Sequence, residues 1–119
     1  MDIDGAVEGL GALAQGTRLE TFRLLVRHEP AGLAAGDVAR LAGVPQNTMS
    51  GHLRVLAQAG LVSGERQSRS IVYRARLDRL RELTLFLVKD CCGGNPSLCA
   101  PLIADLNCCM PKEGADACC

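Results

Sequence analysis

The sequence predicts a mainly α-helical fold that carries one small β-hairpin, with terminal helices available to pair with a second copy. Three observations point there. Apolar residues recur at helical spacing through most of residues 3–58 and again from 77 onward. Two short β-like runs, LVSGERQ and SIVYRAR, meet around Ser68–Arg69. The last helical stretch, LDRLRELTLFLVKDCC, is apolar on nearly every side.

The elements follow in chain order. Ile3, Val7, Leu10, Leu13 and Ala14 make residues 3–15 an amphipathic helix despite Gly5, Gly9 and Gly11. Gly16 and Thr17 break it, and Thr17 with Glu20 three residues on reads as the cap of a second helix. Leu19, Phe22, Leu25 and Val26 mark that helix, which ends near Glu29–Pro30. A short third helix turns Val38, Ala39, Leu41 and Ala42 inward and closes at Gly43. The fourth, PQNTMSGHLRVLAQAG, sets an apolar stripe of Met49, Leu53 and Leu56 against a polar face of Asn47, Ser50, Gly51, Arg54 and Gln58. The hairpin follows, then the last helix with its stripe of Leu77, Leu80, Leu83 and Leu87. Leu85, Phe86 and Val88 lie off that stripe, so the helix needs cover on a second side, most simply from another subunit. This order is that of a winged helix–turn–helix, a homodimer through its first and last helices. Residues 1–92 form the DNA-binding and dimerisation domain, and residues 93–119 a Cys-rich, partly disordered extension.

Charge is distributed unevenly. The chain of 119 residues has 13 basic and 13 acidic side chains and no net charge. Residues 46–76, however, carry five arginines (54, 66, 69, 74, 76) against the single acid Glu65. Local fields, not totals, guide a phosphate backbone. A helix face of amides, hydroxyls and an arginine suits a major groove, where Asn and Gln pair adenine edges and Arg pairs guanine. Gln46, Asn47, Thr48, Ser50, His52 and Arg54 are therefore expected at the groove, and Arg66 and Arg69, flanking the hairpin tip, at the backbone or minor groove. Arg74 and Arg76 read as exposed strand residues. The expected partner is double-stranded operator DNA.

No apolar run approaches the roughly 20 residues that span a bilayer, and the acidic start MDIDGAVEG does not have the pattern of a secretory signal. The reading is cytoplasmic, with no membrane partner. All seven cysteines fall at 91, 92, 99, 108, 109, 118 and 119. An odd number, clustered and partly in adjacent pairs, suits metal or redox chemistry better than a disulfide framework.

The stretch LAGVPQNTMSGHLRVLAQAGLVSGERQSRSIVYR resembles the recognition helix and wing of the ArsR/SmtB metalloregulatory repressors. Ser50, His52, Leu53, Leu56, Ala59, Gly60, Leu61, Val62, Arg66 and Tyr73 stand at the places of that pattern, and LAQGTRLETFRLL resembles the family's second helix. The resemblance covers residues 8–92 and implies a homodimeric winged-helix repressor, released from its operator when metal or metalloid binds. There are departures. Gly51 stands where a second His is common, and Ser68 where the wing often has Gly. The C-x-C-x-x-C of the best-known arsenic sensors is absent from AAGDVARLAGV, as is the His and acidic set of the zinc sensors from the last helix.

That leaves the ligand to the thiols. Cys91, Cys92 and Cys99 sit on either side of GGNPSL, whose Gly93–Gly94 and Pro96 end the helix and let the chain fold back. Three thiolates and no nearby His suit a soft centre. Trivalent arsenic takes three in a pyramid, and antimony would do the same, whereas zinc generally wants four ligands. The expected inducer is As(III), with no organic cofactor. The alternatives are a repressor of the same fold answering to Cd(II), Pb(II), Zn(II), Hg(II) or methylarsenite, or a thiol-rich metal store, which leaves residues 44–76 unexplained. A thiol enzyme is disfavoured: Cys91 lies at a helix C-terminus beside Asp90, which raises a thiol's pKa.

Overall fold

The computed structural model describes residues 1–89 and Pro101. All seven cysteines, and the expected domain boundary at 92/93, lie outside the described residues. The chain divides into two units, Met1–Thr84 and Leu85–Cys119. Among the described residues, the first unit holds every helix and strand except the end of the last helix, which runs on to Lys89.

Five helices and three strands run in the order α1 (Ile3–Leu13), α2 (Gly16–Arg27), β1 (Leu33–Ala34), α3 (Ala35–Ala42), α4 (Gln46–Gln58), β2 (Val62–Gln67), β3 (Ser70–Ala75) and α5 (Leu77–Lys89). The strands form one antiparallel sheet in the order β1-β3-β2. This is a winged helix–turn–helix, as expected: α3 and α4 are the helix–turn–helix, β2 and β3 the wing. Among the described residues no helix is long and apolar enough to cross a membrane.

The core is built from the predicted stripes. Met49, Leu53 and Leu56 of α4 are buried together with Phe22 and Leu25 of α2, Val38 and Ala39 of α3, and Leu61 and Val62 at the start of β2. Each fully buried leucine contributes about 1.5–3 kcal/mol relative to exposure. Thr21, also buried, donates its hydroxyl to Thr17 O at 2.7 Å and lies 3.7 Å from Met49 Sδ, so its polar atom is satisfied where α2 meets α4.

Both helices of the motif end in the same way. Gly43 closes α3 at φ 68°, with Val44 N donating to Ala39 O and Gly43 N to Arg40 O. Leu61 N to Leu56 O and Gly60 N to Ala57 O repeat the pattern after α4. These two stops fix the short turn before α4 and aim the chain into the wing.

Several expectations need correction. Thr17 is not the cap of α2. The helix starts earlier, and the Gln15 side chain accepts from Arg18 N at 2.8 Å. The longer Gln side chain reaches the same orphan amide, and Thr17 lies inside the first turn. Leu41 is not inward but 48% exposed, because an eight-residue helix has only one buried face and Val38 and Ala39 occupy it. Of the stripe Leu77, Leu80, Leu83 and Leu87 on the last helix, Leu83 is buried, whereas Leu77 and Leu87 are exposed. The strand β1 was not anticipated. Its two residues, Leu33 and Ala34, pair with Tyr73 and Val72, too short a run for any periodicity to reveal.

The first helix keeps its apolar stripe on the outside, the side expected to meet a second copy, and packs inward by residues that the apolar spacing did not mark. It turns its small residues Ala6, Gly9 and Ala12 to the body of the unit and leaves Ile3, Val7 and Leu10 exposed at 64%, 60% and 40%. A β-carbon on Gly9 would lie 3.6 Å from Leu83 Cδ2. The glycines that weaken α1 as a helix thus let it lie close to α5. Arg18 Nε ties its end to α2 by donating to Ala12 O at 2.7 Å.

Candidate nucleic-acid interface

The polar side of α4 is exposed as its spacing requires. Gln46, Asn47, Thr48, Ser50 and Arg54 are all exposed, opposite the buried Met49, Leu53 and Leu56. His52 is half-buried at the margin between the two faces, apart from the row formed by Asn47, Ser50 and Arg54. The helix begins at Pro45, and no side chain caps it. Its first-turn N–H groups are therefore free for an external acceptor such as a phosphate oxygen.

The wing is held in register by six cross-strand pairs from Val62↔Ala75 to Gln67↔Ser70. Its two-residue turn is Ser68–Arg69, with Ser68 at φ 57°. Hairpin turns of this length need positive φ at their first position, which Gly or Asn supplies most readily. Arg69 occupies the second turn position and Arg66 pairs with Ile71 next to the tip. Gly64 pairs with Tyr73, and a β-carbon there would come within 2.9 Å of the Tyr73 ring and 3.0 Å of Ile71 Cγ2. The aromatic ring thus covers the bare backbone of the facing strand.

The base of the wing is braced from the other side. Arg74 reaches Glu29, beyond the end of α2, through two bonds: Nη2 to Oε2 at 2.9 Å and Nε to Oε1 at 3.3 Å. The bonds to Glu29 and its negative charge push the Arg74 pKa up, leaving it charged throughout. Gly32, at φ 76°, makes the close approach possible: a β-carbon would lie 2.6 Å from Tyr73 O and from Arg74 Cγ. Arg76 donates to Asp78 at 2.8 Å, and this bond holds the Asp78 carboxyl below its ordinary range.

These pairings sort the five arginines of the basic middle third. Arg74 and Arg76 are engaged by carboxylates, whereas Arg54, Arg66 and Arg69 make no ion pair among the described residues. Within this third of the chain, the positive charge without an ion pair among the described residues thus lies on α4 and at the wing tip. Between them runs a cleft of about 270 Å³, lined by Gln46 and Ser50 of α4, Arg69, Ser70 and Tyr73 of the wing, and the first turn of α3. Of the expected contact residues, the cleft brings Gln46, Ser50 and Arg69 together. Asn47, Thr48 and Arg54 lie on the exposed part of α4, and Arg66 on β2. Sequence reasoning missed the bracing by Glu29 and the Gly64–Tyr73 contact. The second was readable in principle, since a hairpin centred on Ser68–Arg69 sets residue 64 opposite residue 73.

A helix-turn-helix domain model matches residues 13–65. The HTH-type transcriptional repressor SmtB of Mycobacterium tuberculosis is 31% identical over 83 residues, which is 70% of this chain; the chain spans 59% of that repressor's length. An ArsR-like transcriptional regulator from Rhodococcus sp. RHA1 superposes with TM-score 0.69 at 26% identity, covering 82% of this chain and 89% of that one. A possible transcriptional regulatory protein from Mycobacterium bovis, fragment 1–100, gives TM-score 0.59 in its crystal structure at 31% identity, covering 72% of this chain and 90% of that one. Its solution structure, described as a homodimeric winged helix-turn-helix DNA-binding domain of a possible ArsR-family regulator, gives 0.62 at 28% identity, covering 76% and 82%. The chain belongs to the ArsR/SmtB family. As in the ArsR/SmtB pattern read from the sequence, Ser50 and Arg66 fall on the recognition helix and wing and Tyr73 on the wing's second strand, while Leu53, Leu56 and Leu61 form the core beneath them.

Proposed function

We propose that this protein is a transcriptional repressor. It binds operator DNA as a homodimer through α4 and the wing, and is released when As(III), or Sb(III), binds the thiolates of Cys91, Cys92 and Cys99. The observation that carries the DNA-binding half is the coincidence of an exposed polar helix face with Arg54, Arg66 and Arg69, which make no ion pair among the described residues. Asn47, Ser50 and Arg54 read base edges, and the uncapped start of α4, Arg66 and Arg69 hold phosphates. Two copies present their recognition helices about 34 Å apart, one turn of the duplex. The exposed row Ile3, Val7 and Leu10 on α1 is the apolar surface such a dimer covers.

The metalloid half is carried by the donor set. Three thiolates complete the pyramidal coordination of As(III), and Cys91, Cys92 and Cys99 supply three from one short segment. Drawing three sulfurs around one atom re-forms the chain beyond α5, changes the packing between subunits and spoils simultaneous docking in two half-sites. A 100-fold loss of operator affinity requires about 2.8 kcal/mol of coupling, within the usual range for allostery.

Two experiments test this reading. Arg54→Ala should weaken binding and relax sequence preference, whereas Arg66→Ala and Arg69→Ala should weaken binding to every sequence alike. Wild-type affinity in all three would remove α4 and the wing from the interface. Thiol quantification after one equivalent of arsenite per chain should register three protected thiols in the wild type. Protection of none contradicts the metalloid site.

A further inference from the structure

Two surfaces of the first unit are complementary in apolar character, charge and spacing. One is α1, whose exposed Ile3, Val7 and Leu10 form a stripe flanked by Asp4 and Glu8. The other is a groove of about 430 Å³ lined by Leu13, Leu19, Phe22, Val26 and Leu80, with Arg23 and Arg27 along its rim. All four charged residues are exposed, and none makes an ion pair among the described residues. Helix dipoles account for Asp4 and Arg27, which sit in terminal turns, but not for Glu8 and Arg23, which are mid-helix.

We infer that α1 of one copy lies antiparallel along the α2 groove of a second copy, with Asp4 against Arg27 and Glu8 against Arg23. The inference rests on the homodimer reading and names its contact. Asp4 and Glu8 are four residues apart, as are Arg23 and Arg27, so each pair rises about 6 Å along its helix and the spacings match. At about 100° per residue, the acids lie roughly 110° round from the centre of the α1 stripe, and the arginines roughly 90° round from the line of Leu19, Phe22 and Val26, in the same rotational sense. Two facing helices bring such rows to the same side only when they run in opposite directions. Like charges four apart repel within a helix, and the opposed helix relieves both repulsions at once. The arrangement is isologous: each copy gives an α1 and receives one. It also brings the apolar stripe out of water without help from the chain beyond Lys89.

A charge swap tests this in the full-length, reduced protein by sedimentation equilibrium at low and high salt. One variant carries Asp4→Arg and Glu8→Arg, the other Arg23→Glu and Arg27→Glu. Each alone should dimerise at least about tenfold more weakly than the wild type, since like charges then face each other in both contacts. An equimolar mixture should recover a heterodimer of near wild-type affinity, because one contact is reversed and the other native. The mixture reads the contact even where a single variant folds poorly alone. The inference is overturned if both variants dimerise like the wild type, which leaves the groove to another occupant such as an apolar carboxylate, or if both weaken and mixing restores nothing. A monomeric wild type that still binds a single half-site would instead overturn the homodimer reading itself.

Discussion

Tyr73 is the only tyrosine in a chain without tryptophan, and its ring packs over Gly64. Intrinsic fluorescence excited at the tyrosine band is therefore a reporter of the wing. Gly64→Ala should change that emission and weaken DNA binding, with helix content unaltered; unchanged emission would mean that the ring does not cover residue 64. Ser68 carries the opposite expectation. An L-residue at φ 57° is held in a conformation that glycine adopts at no steric cost. Ser68→Gly should raise stability by about 0.5–1 kcal/mol, read as a higher urea midpoint at constant slope. A lower midpoint would show that the serine side chain supports the turn. Gly32 is the third telling residue. At φ 76°, with Tyr73 O only 2.6 Å from a β-carbon, Gly32→Ala adds backbone strain to a steric clash. It should cost about 2 kcal/mol or more, and stability within a few tenths of the wild type would contradict the observed approach of this loop to β3.

At the scale of the element, the inward face of α4 was legible and that of α1 was not. Met49, Leu53 and Leu56 recur with the helical period and are all buried, so the same three letters that predicted the helix also predicted which side faces out. Leu56→Ala should cost about 2–5 kcal/mol, as for other fully buried leucines. In α1 the period marked the apolar row Ile3, Val7 and Leu10, the side expected to meet a second copy, but not which residues pack inward. Hydrophobicity marks a face that leaves water, and cannot distinguish a face that enters its own core from one reserved for a second chain. Ala6, Gly9 and Ala12 score as weak positions, yet they are the ones packed inward, because close approach to Leu83 needs small residues. The brace Glu29–Arg74 was illegible for another reason. It joins residues 45 positions apart through a loop whose path depends on β1, itself two residues long. Charge counting therefore placed Arg74 and Arg76 in the basic field, and only the fold reveals that carboxylates hold them.

For the whole molecule, the arginines without an ion pair among the described residues set an expectation for salt. With Arg66 and Arg69 from each of two copies at phosphates, log affinity should fall against log salt with a slope of about −4, and each of these arginines removed from both copies should lessen it by roughly 2. A slope near zero would exclude a phosphate interface. The family was readable from the recognition helix and the wing, and the order of the five helices and the hairpin from the apolar spacing, whereas β1 was not. The cysteines were readable only as a donor set, and As(III) rests on that chemistry. The decisive measurement is fluorescence anisotropy of an inverted-repeat promoter fragment from the protein's own operon, bound by reduced protein. Arsenite, antimonite, cadmium and zinc are titrated separately, with Cys91→Ser as control. Release by arsenite that Cys91→Ser abolishes is the predicted result. Tight DNA binding indifferent to arsenite would contradict the metalloid response while leaving the DNA-binding face intact.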